Sequence, residues 1–301
     1  MALLRSIWND LLYTLRVSNI VTRLMVVNFA VFLIANLALG LMLLTMGPVS
    51  GGEAFDTGLH WFCVPASPYR LLFQVWSPIT YMFLHLSLLH LIGNLIFMHL
   101  FGTVISDLIG PRRVLPIYLL GGVVGALAFM VSAYVLPSVG EYALGASGAV
   151  MALAGAALLL APDYRIRLLL LGDVKLKYIV LVLLIFDLIG IAGQYNSGGH
   201  AAHLGGFVLG ISFIHAMRQG SDWAEPVNRL LDHLSKLLRR QSERRRRAAE
   251  RSLTVVRGGR APVDELSFQE RLDAILDKIK ASGLESLTPE EREFLYHASK
   301  K

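Results

Sequence analysis

Before about residue 217, hydrophobic positions follow neither a strand period nor one helix face. They run together in blocks long enough to cross a bilayer. Six blocks, at about 22–47, 86–108, 113–136, 147–162, 177–193 and 200–217, predict six spanning helices. The last three are short against a hydrocarbon layer of about 30 Å, as suits helices enclosed in a bundle or lying in thinned lipid. Between the first two blocks, about 48–80 mixes Gly51, Gly52, Pro65, Pro68 and Pro78 with Trp61, Phe62, Tyr69 and Trp76. Breakers among aromatics predict a structured loop or short helices at the lipid interface. The expected fold is an all-α polytopic membrane protein, a six-span bundle over 22–217 with a helical tail.

Composition agrees: 54% of residues are hydrophobic, 17% are charged, and the mean hydropathy is +0.56. The single cysteine, Cys63, excludes an internal disulfide. The first twenty residues lack the pattern of a cleaved signal, so the first block is expected to be retained as a span. Arg5, Arg16 and Arg23, then Arg112 and Arg113, then Arg165, Arg167, Lys175 and Lys177, and finally Arg218 all fall on one side of a six-span arrangement. That side is expected to be cytoplasmic, with segment 1–21 and both termini on it. The 48–80 loop on the opposite side carries Arg70 as its only basic residue.

Past the last block the pattern changes. Residues 218–258 read as a basic amphipathic linker, and Lys236 to Arg251 alone hold eight basic residues against Glu243 and Glu250, a charge of +6 equal to that of the whole chain. Next to a membrane span, such a stretch is expected to meet anionic lipid headgroups. Nucleic acid is not expected as a partner, because no recognition module accompanies the arginines. Residues 259–301 predict a small helical hairpin, with capping boxes at Ser267–Glu270 and Thr288–Glu291, Gly283 ending the intervening helix, and Leu272, Ile275, Leu276, Ile279, Phe294 and Leu295 as its apolar face.

The candidate chemistry lies where polar residues interrupt the blocks. Leu144 to Gly155 place one hydroxyl, Ser147, between Gly145 and Gly148 at the start of a helix rich in small residues. Alone, such a serine is ordinary packing material. The second block, however, opens with His85, His90 and Asn94, and the sixth carries His200 and His203. Ionisable groups in such surroundings are costly unless paired or used. His90 and Asn94, four apart, share a helix face. Both enter their span from the side opposite the arginines, as do Ser147 and His203, so all four are expected at comparable depth. A serine needs a base to take its proton, and its tetrahedral intermediate needs donors aimed at the oxyanion. His203 can be the base, and the Ser147 N–H with the His90 and Asn94 side chains can be the donors.

Three ordered motifs make the sequence resemble the rhomboid family of intramembrane serine proteases over about residues 20–217. They are His-x-x-x-x-His-x-x-x-Asn from His85 to Asn94, Gly-x-Ser-Gly from Gly145 to Gly148, and Ala202-His203-Leu204-Gly205-Gly206. The resemblance implies that Ser147 is the nucleophile and His203 its base, in a dyad without an essential carboxylate. It further implies that His90 and Asn94 help form the oxyanion hole and that His85 supports the site. Gly206 and Gly210 match the small face that brings the sixth helix against the fourth. The substrates implied are single-span membrane proteins. Two departures stand out: Met151 occupies a position where many members carry an aromatic ring against the catalytic histidine, and Trp76-Ser77-Pro78 lacks the arginine found in the first loop of some members. The hairpin tail is similar to that of some bacterial rhomboid-type proteins, which implies a bacterial inner membrane.

Other readings compete less well. Asp187 is expected to be a hydrogen-bonded packing residue, with pairing to His200 or orientation of a water as its possible uses, and His200 a structural or helix-start residue. His99 and His215 fall toward the opposite ends of their spans. No His-Glu-x-x-His is present and no acidic ligand is expected near the histidines, so neither a catalytic metal nor any other cofactor is expected. A silent relative that binds membrane clients is the principal alternative, and the presence of both Ser147 and His203 argues against it. A transporter would show repeats or broken helices, and none is evident.

Overall fold

The computed structural model describes residues 19–136, 139–168, 172–237 and 263–298, in two compact units divided at Leu231. In the first unit, α1 (Ile20–Met46) starts where the Asn19 side chain accepts the Thr22 N–H at 2.9 Å. Much of its apolar surface faces outward, with Leu37 71% and Leu44 86% exposed, as suits a helix whose solvent is hydrocarbon. The following segment folds into α2 (Pro48–His60), β1 (Val64–Pro65), α3 (Pro68–Leu71), α4 (Ser77–Thr80) and a 3-10 turn, Tyr81–Phe83. It contains the short helices expected of the first loop.

The remaining long helices are α5 (Leu88–Ile109), α6 (Val114–Val135), α7 (Ser147–Leu160), α8 (Leu176–Ala192) and α9 (Ser197–Arg218). Together with α1 they coincide with the six hydrophobic blocks to within a few residues. Among the described residues four helices are long and apolar enough to cross a membrane: Ile20–Met46, Leu88–Ile109, Pro111–Val135 and Ser197–Arg218. The protein is an all-α polytopic integral membrane protein.

The shortest long helix, α7, is the centre of the bundle. At ~1.5 Å per residue its fourteen residues span only about 21 Å, and Gly148 to Ala157 are all buried. Its small side chains admit neighbouring backbones directly. A Cβ added to Gly206 would lie 1.9 Å from the Gly148 carbonyl oxygen, and one on Gly210 would lie 2.0 Å from that of Ala152. On another flank, a Cβ on Gly121 of α6 would meet the Ala152 methyl at 2.1 Å. Such contact replaces side-chain interlocking with backbone proximity, the packing that lipid favours.

Buried hydroxyls tie the first loop to this core. The Tyr81 hydroxyl donates to the Gly122 carbonyl at 2.6 Å, and the Tyr118 hydroxyl donates to that of Met82 at 2.8 Å. Asn28 of α1 donates in turn to the Tyr118 oxygen at 3.4 Å. Two small ribbons supplement the helices: β1 pairs antiparallel with β2 (Tyr142–Ala143), and β3 (Arg165–Leu168) pairs with β4 (Gly172–Lys175). Arg70 braces the first ribbon through the Tyr142 hydroxyl and through Glu141 at 3.7 Å.

Beyond α9, residues 224–237 are helical, and most of the basic stretch 236–251 lies outside the described residues. In the second unit, helix Val263–Ser282 begins four residues before Ser267, so Ser267 lies inside the helix and does not cap it. The second expected box is formed: Thr288 N–H donates to Glu291 Oε2 at 2.8 Å, and Glu291 N–H to Thr288 Oγ1 at 3.3 Å, opening helix Pro289–Ala298. Gly283, at φ 78°, ends the preceding helix. Ile275 and Leu287 are buried, and Lys278 pairs with Glu291 at 2.8 Å, whereas Leu276, expected on the apolar face, is exposed.

Candidate active site

Ser147 is the first residue of α7, so its backbone N–H is one of the orphan donors of a helix N-terminus. The turn before it is held from two directions. Gly145 N–H donates to the Tyr81 carbonyl at 2.9 Å, and Ala146 N–H donates to His85 Nε2 at 3.3 Å. Gly145 adopts φ 123°, a conformation that side-chain-bearing residues rarely take. The space that its missing side chain leaves is in use: a Cβ there would lie 2.8 Å from His90 Cε1, 3.2 Å from His90 Nε2 and 3.8 Å from Ser147 Oγ. The His90 ring and the serine hydroxyl thus flank one glycine.

His85, in the turn ahead of α5, is fully buried beneath His90, with ring centroids 5.2 Å apart edge to face. Burial, and then the neighbouring His90 charge, push its pKa down to about 4, so the neutral imidazole accepts the Ala146 N–H. One turn along α5 from His90, buried Asn94 donates from Nδ2 to the His90 carbonyl at 2.9 Å. An amide nitrogen carries two hydrogens, so this leaves one for another acceptor.

A cavity of about 330 Å³ collects the polar residues of four helices. Its walls include His90 and Asn94 from α5, Ser147 and Met151 from α7, Asp187 from α8, and His200 and His203 from α9. Apolar walls come from Leu89, Phe97, Leu183 and Phe186. Met151, the departure noted in the sequence, lines the same cavity as His203. Gly148 and Gly206 mark the close approach of α9 to α7, and Gly210 lies one turn further on.

The main departure from the sequence reading is Asp187. The pairing with His200 named among its uses is formed, Oδ1 lying 2.8 Å from His200 Nδ1, but the same oxygen also lies 2.6 Å from Nδ1 of His203, which makes Asp187 more than a packing residue. The carboxylate is an acceptor, so each Nδ1 is read as the N–H donor, leaving Nε2 of His203 with its lone pair. The expectation of no acidic group beside the histidines is therefore corrected. Asp187 and His203 stand sixteen residues apart on different helices, and the only signal in the sequence was the lone carboxylate in an apolar block. Tyr81 and Tyr118 also escaped the sequence reading, since a tyrosine beside apolar residues gives no sign of the backbone carbonyl it will meet.

Residues 72–220 match the Rhomboid domain family. Residues 264–301 match a second family, of unknown function, DUF6576. The chain is 30% identical over 152 residues to presenilin-associated rhomboid-like protein A, mitochondrial, of Danio rerio, covering 50% of this chain and 38% of that protein. It is 29% identical over 138 residues to the human presenilin-associated rhomboid-like protein, mitochondrial, covering 44% and 35%. Over 175 residues it is 29% identical to rhomboid protease GluP of Bacillus subtilis strain 168, covering 58% and 32%. The chain thus spans less than two-fifths of the length of each of these relatives. With six helices at the expected positions, a buried serine turn at the head of the central one and a matching domain over 72–220, the chain belongs to the rhomboid family and has its intramembrane-protease-like fold.

Proposed function

We propose that the protein is an intramembrane serine endopeptidase that cleaves single-span membrane proteins at or near their membrane boundary. The observation that carries this reading is the shared cavity. Ser147 and His203 line it together, and His203 is backed at Nδ1 by the buried Asp187 carboxylate.

In this reading His203 Nε2 accepts the Ser147 hydroxyl proton as Oγ attacks the scissile carbonyl, forming a C–O bond while the carbonyl π electrons move to oxygen. Asp187 keeps the imidazole in the Nδ1–H tautomer and offsets the positive charge that develops on it. The oxyanion is met by the Ser147 N–H, the second Asn94 hydrogen and the His90 ring. Collapse of the intermediate breaks the C–N bond, with the proton passing from His203 to the leaving amine, and water then hydrolyses the acyl-enzyme by the same route. No cofactor takes part in these steps.

The positive charges on the loops between α5 and α6 and between α7 and α8 favour a cytoplasmic side for those loops. The site then opens to the periplasmic or exoplasmic face, consistent with a bacterial inner membrane. The basic stretch after α9 favours anionic lipid headgroups. The test uses purified protein in liposomes with a panel of single-span substrates. Cleavage by the wild type, lost in folded Ser147→Ala and His203→Ala variants and accompanied by fluorophosphonate labelling of Ser147, supports the proposal. Full cleavage by Ser147→Ala overturns it, and client binding without any cleavage favours a silent escort.

A further inference from the structure

We propose that Asp187, His200 and His203 form a binding site for a zinc-like divalent transition-metal ion, and that its occupancy switches the protease off. The regulatory half of this inference rests on the function proposed above; the binding half does not.

Each of the three residues offers one ligand atom, and these atoms all lie within 4.8 Å of one another. His200 and His203 are three apart on one face of α9, and Asp187 faces them from α8. Their rings stand edge to face, 5.6 Å between centroids, with both Nδ1 atoms turned to one carboxylate oxygen. The His200 ring packs against Gly190, where a Cβ would lie 2.1 Å from its Nε2. A second observation points to a ligand independently: Asp187 is 3% exposed, and its other oxygen, Oδ2, is buried without a hydrogen-bond partner. A buried carboxylate oxygen left bare is costly, and a cation between the carboxylate and the rings would satisfy it.

The donor set selects the ion. Two imidazoles and one carboxylate suit zinc, cobalt or copper, whereas magnesium and calcium prefer oxygen cages. Tetrahedral zinc, with ligands at about 2.0–2.1 Å, holds its donors about 3.3 Å apart. The 2.6 and 2.8 Å contacts must therefore open by about 0.5–0.7 Å, a shift that rotation of the carboxylate to bring Oδ2 toward the ion would allow. The adjoining cavity leaves room for water as the fourth ligand.

Inhibition follows from where the proton goes. For Nδ1 to ligate a metal, the neutral imidazole must carry its hydrogen on Nε2, so that hydrogen moves across the ring and none is lost. His203 Nε2 then has no lone pair to take the Ser147 proton. The metal would also hold the carboxylate that otherwise supports the base.

The test has two arms. In the first, Zn2+ is titrated calorimetrically into the full chain carrying Ser147→Ala, with cobalt absorption reporting the coordination geometry. One equivalent should bind, and Asp187→Asn or His200→Phe, added singly, should weaken binding by about tenfold or more. Phenylalanine keeps a ring against Gly190, and thermal melting verifies that each protein is folded. No saturable binding, or binding unaltered in both variants, overturns the site whether or not the protein cleaves anything. In the second arm, Zn2+ but not Mg2+ should stop cleavage by the wild type, and EDTA should restore it. The inhibiting concentration should rise about tenfold or more in His200→Phe, measured against that variant's own metal-free rate. Inhibition equal in wild type and variant overturns the switch.

Discussion

Gly206 of α9 lies so close to Gly148 of α7 that a methyl group on the first would stand 1.9 Å from the carbonyl oxygen of the second. The partner is backbone and cannot rotate away. Gly206→Ala must therefore separate the helices that carry His203 and Ser147, and overpacking of this kind costs about 1–3 kcal/mol. Thermal unfolding in detergent should show a lowered midpoint together with reduced cleavage. Gly40→Ala is the control: nothing lies within 4 Å of its Cβ position on α1, and replacing glycine within a helix stabilises by up to about 1 kcal/mol.

Asp187→Asn keeps the shape of the side chain but offers His203 a mixture of donor and acceptor. In a soluble Ser-His-Asp protease the same change lowers kcat by about 10⁴-fold through the wrong imidazole tautomer. Here the loss should fall on kcat with KM little altered, and Asp187→Glu should recover part of it. Steady-state kinetics on one transmembrane substrate separates the two parameters. An Asp187→Asn protein with wild-type kcat would return the carboxylate to a packing role.

His90 and Asn94 should differ from Asp187 in what they stabilise. Removing one full oxyanion donor costs about 2.7–4 kcal/mol of transition-state stabilisation in a soluble protease. Three donors share the charge here, so Asn94→Ala and His90→Ala should each lose less, again in kcat. The double variant should show non-additive losses if both serve one oxyanion.

The pH dependence of stability should reflect His85. Its folded pKa, about 4, lies below the ordinary value of 6.5, so folding favours the neutral ring. The stability that it contributes is fully present above about pH 6.5 and declines as the pH falls from there toward 4. Protonation would also take Nε2 away from the Ala146 N–H. Unfolding midpoints between pH 7 and 4 should fall more steeply in wild type than in His85→Gln.

Cleavage should fall near one end of the substrate's span. Ser147 heads a helix only about 21 Å long, so in the proposed topology its hydroxyl lies toward the exoplasmic end of the bundle. Amides of a substrate helix must unwind before attack, so glycine near the exoplasmic boundary should promote cutting and a leucine-rich top should suppress it. Mass spectrometry of the products locates the bond, and a principal cut on the cytoplasmic side would contradict the proposed topology.

The six helices were legible in the sequence because each is a continuous apolar block bounded by charge or by glycine and proline. The serine turn, His85, His90, Asn94 and His203 were legible because polar groups in such blocks are rare. Pairing across the fold was not. β1 and β2 are two residues each, too short for any period to register, and Val64 meets Ala143 only because the loop folds back. Asp187 was conspicuous and its pairing with His200 was among its expected uses, but its contact with His203 depends on how α8 leans on α9. Ser267 had the right spacing for a cap, yet the helix begins before it, because spacing alone does not say where winding starts.

Tyr81 holds the Gly145 N–H with its carbonyl and the Gly122 carbonyl with its hydroxyl, so one residue joins the first loop, the serine turn and α6. The serine turn is anchored there, and Tyr81 cannot shift without carrying the nucleophile's turn along. The apolar walls of the cavity, Leu89 and Phe97 of α5 with Leu183 and Phe186 of α8, have no polar side-chain atom with which to form such a tether, so under the proposed function a substrate should enter between these two helices. Bulk at those four positions should govern how fast a substrate arrives, while bulk around Tyr81 should govern what happens once it is there.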